Sequence, residues 1–191
     1  MKTIEGGVTA PKGYRASGVR VGIKPTGTKN DCALVVSDTA ASVAGMFTTN
    51  VMKAPPVAWN QDVCAKGSGR AVFINSGNAN AATGERGCRD AQSTAEALAR
   101  ALDLPVDEMC VCSTGVIGVP LPMDRILDGV SQCAQKLSLE GHSDAAVAIM
   151  TTDTVPKELA CEVELSGGTV RIGAMAKGSG MICPNMATMI A

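Results

Sequence analysis

Arg70-Ala71-Val72-Phe73-Ile74-Asn75-Ser76-Gly77-Asn78-Ala79-Asn80 begins as an apolar run and ends in small polar residues. A short run of this kind, bounded by a turn-forming cluster, fits a strand buried on both faces, and residues 70–74 are read as one. The polar residues after it form a loop in which glycine lets the backbone come close to a ligand. Beyond the loop, Cys88, Ala91, Ala95, Leu98, Ala99 and Leu102 recur at helical spacing, with Thr83 as the N-cap and Pro105 past the end. That pattern predicts a helix over 85–103. A buried strand joined through a polar turn to an amphipathic helix points to a fold that mixes the two element types.

Upstream, residues 1–31 are rich in Gly, Pro, Thr and Lys, with a short alternating piece at 19–23 suited to an edge strand. Strands are expected at 33–37 and 42–48, and Pro55-Pro56 is read as ending the segment that follows. Downstream, a second helix is expected from near Pro122 through Leu137, and a third over 143–150 with Ser143 or Asp144 as its cap. Ser166-Gly167-Gly168, flanked by the segments 159–165 and 169–175, signals a hairpin. Strands and helices do not alternate as strict βαβ units, so the class is α/β with mixed α+β layers. No linker divides the chain, and residues 1–191 are read as one domain.

Apolar residues make up 46% of the chain but aromatics only 2%, so the core has to be built from Ala, Val, Leu, Ile and the 10 Met. With 17 basic and 18 acidic residues the net charge is −1, and neither a basic stripe nor a stacking surface exists for nucleic acid. No apolar run reaches the length of a membrane span and no signal-peptide core opens the chain. The eight cysteines lack C-x-x-C pairs, which favours buried free thiols in a reduced, cytoplasmic protein over a metal or redox site. Cys110-Val111-Cys112 alternates as a strand does, placing both sulfurs on one face. His142 is the single histidine, in a polar loop, which argues against Cys-His or Ser-His catalysis. Neither G-x-G-x-x-G nor G-x-x-x-x-G-K-[ST] occurs, which argues against ATP or NAD chemistry.

Three further segments carry chemistry-bearing residues. Ser113-Thr114-Gly115-Val116-Ile117-Gly118 follows an apolar strand, so its backbone N–H groups can point out of a sheet end, as an oxyanion hole requires; the plain alternative is a strand-ending turn. Thr151-Thr152-Asp153-Thr154-Val155-Pro156-Lys157 can equally be a helix-to-strand turn, since Thr and Asp bond readily to nearby backbone. Lys177-Gly178-Ser179-Gly180-Met181-Ile182-Cys183-Pro184-Asn185-Met186-Ala187-Thr188-Met189 joins a lysine and a glycine-rich turn to an Ala-Thr bond. A threonine hydroxyl is a weak nucleophile until a base sits beside it, and cutting the peptide before the threonine supplies one as the new α-amine. By local chemistry alone the same run is a turn followed by a buried Met/Ile segment.

Taken in this order, these segments and Asn75-Ser76-Gly77-Asn78-Ala79-Asn80-Ala81-Ala82-Thr83-Gly84 resemble the ornithine acetyltransferase family, also called glutamate N-acetyltransferase. Ala82 departs from the cysteine expected there in many relatives, at no catalytic position. The resemblance implies a self-cleaving, N-terminal-nucleophile-like architecture and a bond cut between Ala187 and Thr188. It implies Thr188 as nucleophile, Thr114 and Gly115 as oxyanion hole, and Thr154, Lys177 and Thr188 as substrate-binding residues. It further implies acetyl transfer from N2-acetyl-L-ornithine to L-glutamate in arginine biosynthesis, with no cofactor or metal and with acetyl-CoA as an alternative co-substrate. This chain would be the N-terminal half of a precursor, paired with a β chain in a heterotetramer of two α and two β chains. Two other readings stand beside it: a related self-cleaving aminopeptidase or amidase, and a non-catalytic ligand-binding subunit that never cleaves.

Overall fold

Two sheets divide the strands. In chain order the elements are β1 (Lys2–Ile4), β2 (Tyr14–Val19), β3 (Cys32–Ser42), α1 (Pro55–Lys66), β4 (Ser68–Asn78), α2 (Gly84–Leu102), β5 (Met109–Val116), α3 (Met123–Gln135), α4 (His142–Ala148), β6 (Lys157–Leu165) and β7 (Gly168–Ala176). Short 3-10 turns lie at Gly7–Thr9 and Val106–Glu108. The structure is a computed structural model and describes residues 1–178 and 189–191. One sheet runs β2-β3-β4-β5, antiparallel except for the parallel β4–β5 pair; the other runs β1-β6-β7 and is antiparallel throughout.

Period-two alternation sorts the larger sheet's side chains between its faces. Leu34, Val36, Ala71, Phe73, Met109 and Val111 pack with Ala95 and Leu98 of α2 and Ile126 and Val130 of α3. Ala16, Ala33 and Ile74 take the opposite face against Ala145, Ala148 and Ile149 in and just after α4. The run at 71–74 is thus buried on both sides, as the sequence indicated.

The open edge of β5 is closed by side chains of α1. Trp59 Nε1 donates to the Met109 carbonyl at 2.8 Å. The Asn60 amide acts as a one-residue strand partner, donating to Val111 O at 2.9 Å and accepting from Val111 N at 3.0 Å. Covering an edge this way blocks pairing with another chain. Asn60→Ala would leave a buried donor and acceptor unmet, so urea unfolding of the full-length protein is expected to show a loss of about 2–4 kcal/mol. A loss below about 0.5 kcal/mol would mean that water or another group serves β5 equally well.

Several boundaries differ from the sequence reading. The edge strand expected at 19–23 ends at Val19, because buried Asp31 takes the N–H groups of Val21, Ile23 and Lys24 and turns the chain away. No strand forms at 42–48: β3 pairs through Ser42 with Ser68, where β4 begins, and past that point it has no partner. Pro55-Pro56 starts α1 instead of ending a segment, since proline at the first helical positions lacks only an N–H that the helix would leave unused. The helix forms over 84–102 with Thr83 at its N-cap position as expected, but the Thr83 hydroxyl makes no cap bond and donates instead to Asn80 Oδ1 at 2.8 Å. α3 stops at Gln135, and α4 begins at His142 with Gly141 as its N-cap instead of Ser143 or Asp144. The hairpin forms with slightly longer strands.

Of the cysteines, Cys32, Cys110, Cys133 and Cys161 are buried, Cys64 and Cys112 are half-buried, and Cys88 is exposed; Cys183 lies outside the described residues. Burial pushes the Cys110 and Cys133 thiols up to about 12 and Cys112 to about 11, and Cys32 further still. These sulfurs pack as small apolar groups, far from thiolate chemistry.

Candidate functional site

Parallel β4 and β5 end side by side, with Asn75 opposite Ser113, Ser76 opposite Thr114 and Gly77 opposite Gly115. The C-terminal ends of parallel strands are where α/β sheets present ligands with backbone and short polar side chains. Here the side chains of β4 are used internally. Ser113 Oγ donates to Asn75 Oδ1 at 2.6 Å, Asn75 Nδ2 to the Asn78 carbonyl at 2.9 Å, and Ser76 Oγ to the Ala148 carbonyl at 2.5 Å. Asn78 holds the carbonyls of Val119 and Pro120, and Asn80 holds that of Gly87. The 75–80 stretch, expected as a ligand-approaching loop, is therefore the last part of a strand and a scaffold for the turn beside it.

Gly115 explains why the two strand ends can approach so closely. Its φ is +138°, and an added Cβ would collide with the backbone carbonyl carbon of Gly77 and lie 2.5 Å from the nitrogen of Asn78. Gly77 itself has a φ of +112° and lies against Ile23 and the Lys24 backbone. Only glycine suits both constraints at 115.

Lys177 follows β7 and is held by an antiparallel bridge to Ile190, with N–H to O distances of 2.8 and 3.2 Å. Its side chain runs inward, leaving the residue 4% exposed, which removes the reading of an ordinary surface lysine. The ammonium lies 3.1 Å from Thr114 Oγ1 and 2.7 Å from Thr151 Oγ1. An ammonium has donors and no acceptor, so Thr114 accepts in that bond and its own hydroxyl proton is directed elsewhere. Burial pulls the Lys177 pKa below the ordinary lysine value; the Asp153 charge opposes that shift and Lys157 adds to it.

Asp153 sits beneath this contact, 6% exposed. Its carboxylate accepts from Lys157 Nζ at 2.5 Å, from the Gly178 N–H at 3.0 Å and from the Thr151 N–H at 3.2 Å. Burial alone would raise its pKa, but the Lys157 contact and the two backbone donors outweigh that and hold it well below the usual carboxylate range. A depressed acid contributes stability that is complete above its unfolded value of about 3.9 and is lost only as pH falls below it. Asp153 is therefore ionised wherever the protein would work.

Of the expected site residues, Thr114, Gly115 and Lys177 come together. Thr154 is exposed on the turn before β6 and stands outside the hydroxyl–ammonium contacts. Ala187 and Thr188 lie outside the described residues. Sequence reasoning did not assign Thr151, Asp153 or Lys157 a part at the site. Their segment was visible, and its Thr-Thr-Asp spacing was the available signal, but only the fold brings it to Lys177. A recess of about 460 Å³ lined by Glu96, Arg100 and Asp103 lies at the far end of α2 and includes none of these residues. Among the described residues, no three His, Cys, Asp or Glu side chains are placed to hold a metal ion, and no helix is long and apolar enough to cross a membrane.

The model of the ArgJ family matches residues 15–191. The arginine biosynthesis bifunctional protein ArgJ of Symbiobacterium thermophilum is 54% identical over 191 residues, covering 100% of this chain and 48% of that protein. That of Prochlorococcus marinus is 51% identical over 195 residues, covering 99% and 44%. This chain thus spans about half the length of the curated relatives it matches. Among solved structures, ArgJ from Bacillus halodurans superposes with a TM-score of 0.88 at 39% identity, covering 98% of this chain and 97% of that one. Ornithine acetyltransferase from Mycobacterium tuberculosis, solved in complex with ornithine, superposes at 0.87 with 45% identity and 99% coverage of each chain. With a family model running almost from end to end and the same mixed α/β backbone in two solved relatives, the chain belongs to the ArgJ family.

Proposed function

We propose that this chain is one domain, the N-terminal half of a precursor that cuts itself between Ala187 and Thr188, and that with its β chain it transfers acetyl from N2-acetyl-L-ornithine to L-glutamate. The observation that carries this reading is the meeting of three separate segments at one sheet end, with the Lys177 ammonium 3.1 Å from Thr114 Oγ1. Thr188 Oγ attacks the acetyl carbonyl, and the amide C–N bond breaks. The α-amine freed by cleavage, with a pKa of about 7.7–8.0 in a free amine, takes the hydroxyl proton and returns it to departing ornithine. Glutamate's amine then attacks the threonyl ester and regenerates the hydroxyl. Thr114 and Gly115 hold the oxyanion that develops in each half-reaction. The reaction runs in the cytoplasm, as a step of arginine biosynthesis, without a cofactor; acetyl-CoA serves as a second donor if the enzyme is bifunctional. Two α and two β chains complete the assembly.

Expression of the full-length protein, followed by intact mass, N-terminal sequencing and an acetyl-transfer assay, tests the reading. A new N-terminal threonine and acetylglutamate formation are expected. Acetate release without transfer would indicate an amidase, and an uncut inactive protein a ligand-binding subunit.

Lys177 and Thr154 are placed on the substrate, with Lys177 pairing the α-carboxylate that donor and acceptor share. A charge-assisted bond of this kind contributes roughly 1.5–3 kcal/mol. Lys177→Met in cleaved protein is therefore expected to raise KM for acetylornithine and glutamate together, about tenfold to a hundredfold. Unchanged KM values for both would remove Lys177 from the substrate.

A further inference from the structure

We propose that Asp153 is a positioning residue that sets the Lys177 ammonium between Thr151 and Thr114, and through it the direction of the Thr114 hydroxyl; this rests on the acetyl-transfer reading above. Asp153 holds both ends of the lysine's environment at once. One oxygen takes the N–H of Gly178, the residue directly after Lys177, at 3.0 Å. The other takes the N–H of Thr151 at 3.2 Å, and the hydroxyl of that same threonine meets Lys177 Nζ at 2.7 Å. A single carboxylate thereby fixes the backbone from which the lysine departs and the hydroxyl on which it lands.

Lys157 completes the device. Its ammonium lies 2.5 Å from Asp153 Oδ1, while its side chain remains 43% exposed and that of Asp153 is 1% exposed. Lys157 thus neutralises the buried carboxylate from the solvent side. An Asp153 carboxylate without it would compete with the two threonine hydroxyls for the Lys177 ammonium. Kept on the hydroxyls, Lys177 spends a proton on Thr114 Oγ1 at 3.1 Å, so the Thr114 O–H points away from the lysine, as a donor to an oxyanion must.

The test is a double-mutant cycle in the full-length, self-processed enzyme. Asp153→Asn preserves volume but presents an NH2 group to at least one of the donors now bound. It is expected to lower kcat about tenfold and to raise both KM values in the same sense as Lys177→Met. In the Lys177→Met background it is expected to add less than about a twofold further change, because the residue it acts through is gone. Full additivity, or an Asp153→Asn enzyme with unchanged kcat and KM, overturns the proposal. If the Asp153→Asn precursor fails to accumulate or to cut itself, Lys157→Met takes its place in the cycle. A fall in kcat of about threefold to tenfold that vanishes in the Lys177→Met background is expected there, and an additive or absent effect overturns the proposal equally. Failure of the transfer reading would look different: the unsubstituted protein would then form no acetylglutamate at all, whatever stands at position 153.

Discussion

Thr188→Ala in the full-length precursor is expected to leave one uncut polypeptide with no detectable acetyl transfer. The substitution removes the hydroxyl that would carry the acetyl group, and without a cut no α-amine appears to take its proton. Thr188→Ser keeps both functions and is expected to process itself and turn over, though at a different rate. Thr188 lies outside the described residues, so the expectation comes from the Pro184-Asn185-Met186-Ala187-Thr188 run and the family assignment. The structure supplies the setting: Lys177 and Ile190, on either side of residues 179–188, are bonded to each other through both backbone pairs beside Thr114. Intact mass and N-terminal sequencing read the cut, and a glutamate-dependent transfer assay reads the activity. An alanine variant still cut at the same bond and still turning over would remove Thr188 as nucleophile.

The elements that could be read from the sequence were those whose burial is local and periodic. Residues 71–74 are apolar without interruption and are covered on both faces, and 85–103 carries a helical stripe that faces the sheet. α1 was missed because its task is not apolar burial: Asn60 faces inward to bond Val111, which polar residue spacing does not announce. The strand expected at 42–48 fails for a reason outside its own residues, since β4 begins opposite Ser42 and offers nothing beyond. At the site, motif resemblance located Thr114, Gly115 and Lys177, while the contact between residues 63 positions apart emerged only once the fold brought the Lys177 side chain, just after β7, to Thr114 in β5. Asp153 was legible only as a turn-forming residue. Its second role depends on Gly178, 25 residues away, coming back to the same carboxylate.

Gly115→Ala and Thr114→Ala together separate the two routes by which this turn can hold an oxyanion. Thr114→Ala removes a hydroxyl at a position 7% exposed and leaves the strand register intact. If that hydroxyl donates to the oxyanion, kcat is expected to fall ~10²–10³, while KM changes by less than about threefold, the pattern of an interaction made in the transition state. Gly115→Ala acts on the backbone instead. The new methyl group would meet Gly77 and Asn78 main-chain atoms, which cannot rotate away, and the residue would have to keep a φ of +138° that an L side chain rarely adopts. The β4 and β5 ends must then part, moving the N–H at 115 and the Thr114 side chain at once, and a displacement of about 1 Å can by itself cost a further factor of about 10². Its kcat is accordingly expected to fall below that of Thr114→Ala, with a larger fall in thermal midpoint than Thr114→Ala shows. Circular dichroism melts and single-turnover acetylation of cleaved protein make the comparison. A Gly115→Ala enzyme with wild-type kcat would show that the close approach of Gly77 and Gly115 serves packing alone, and an unaltered Thr114→Ala would assign the oxyanion to backbone donors only.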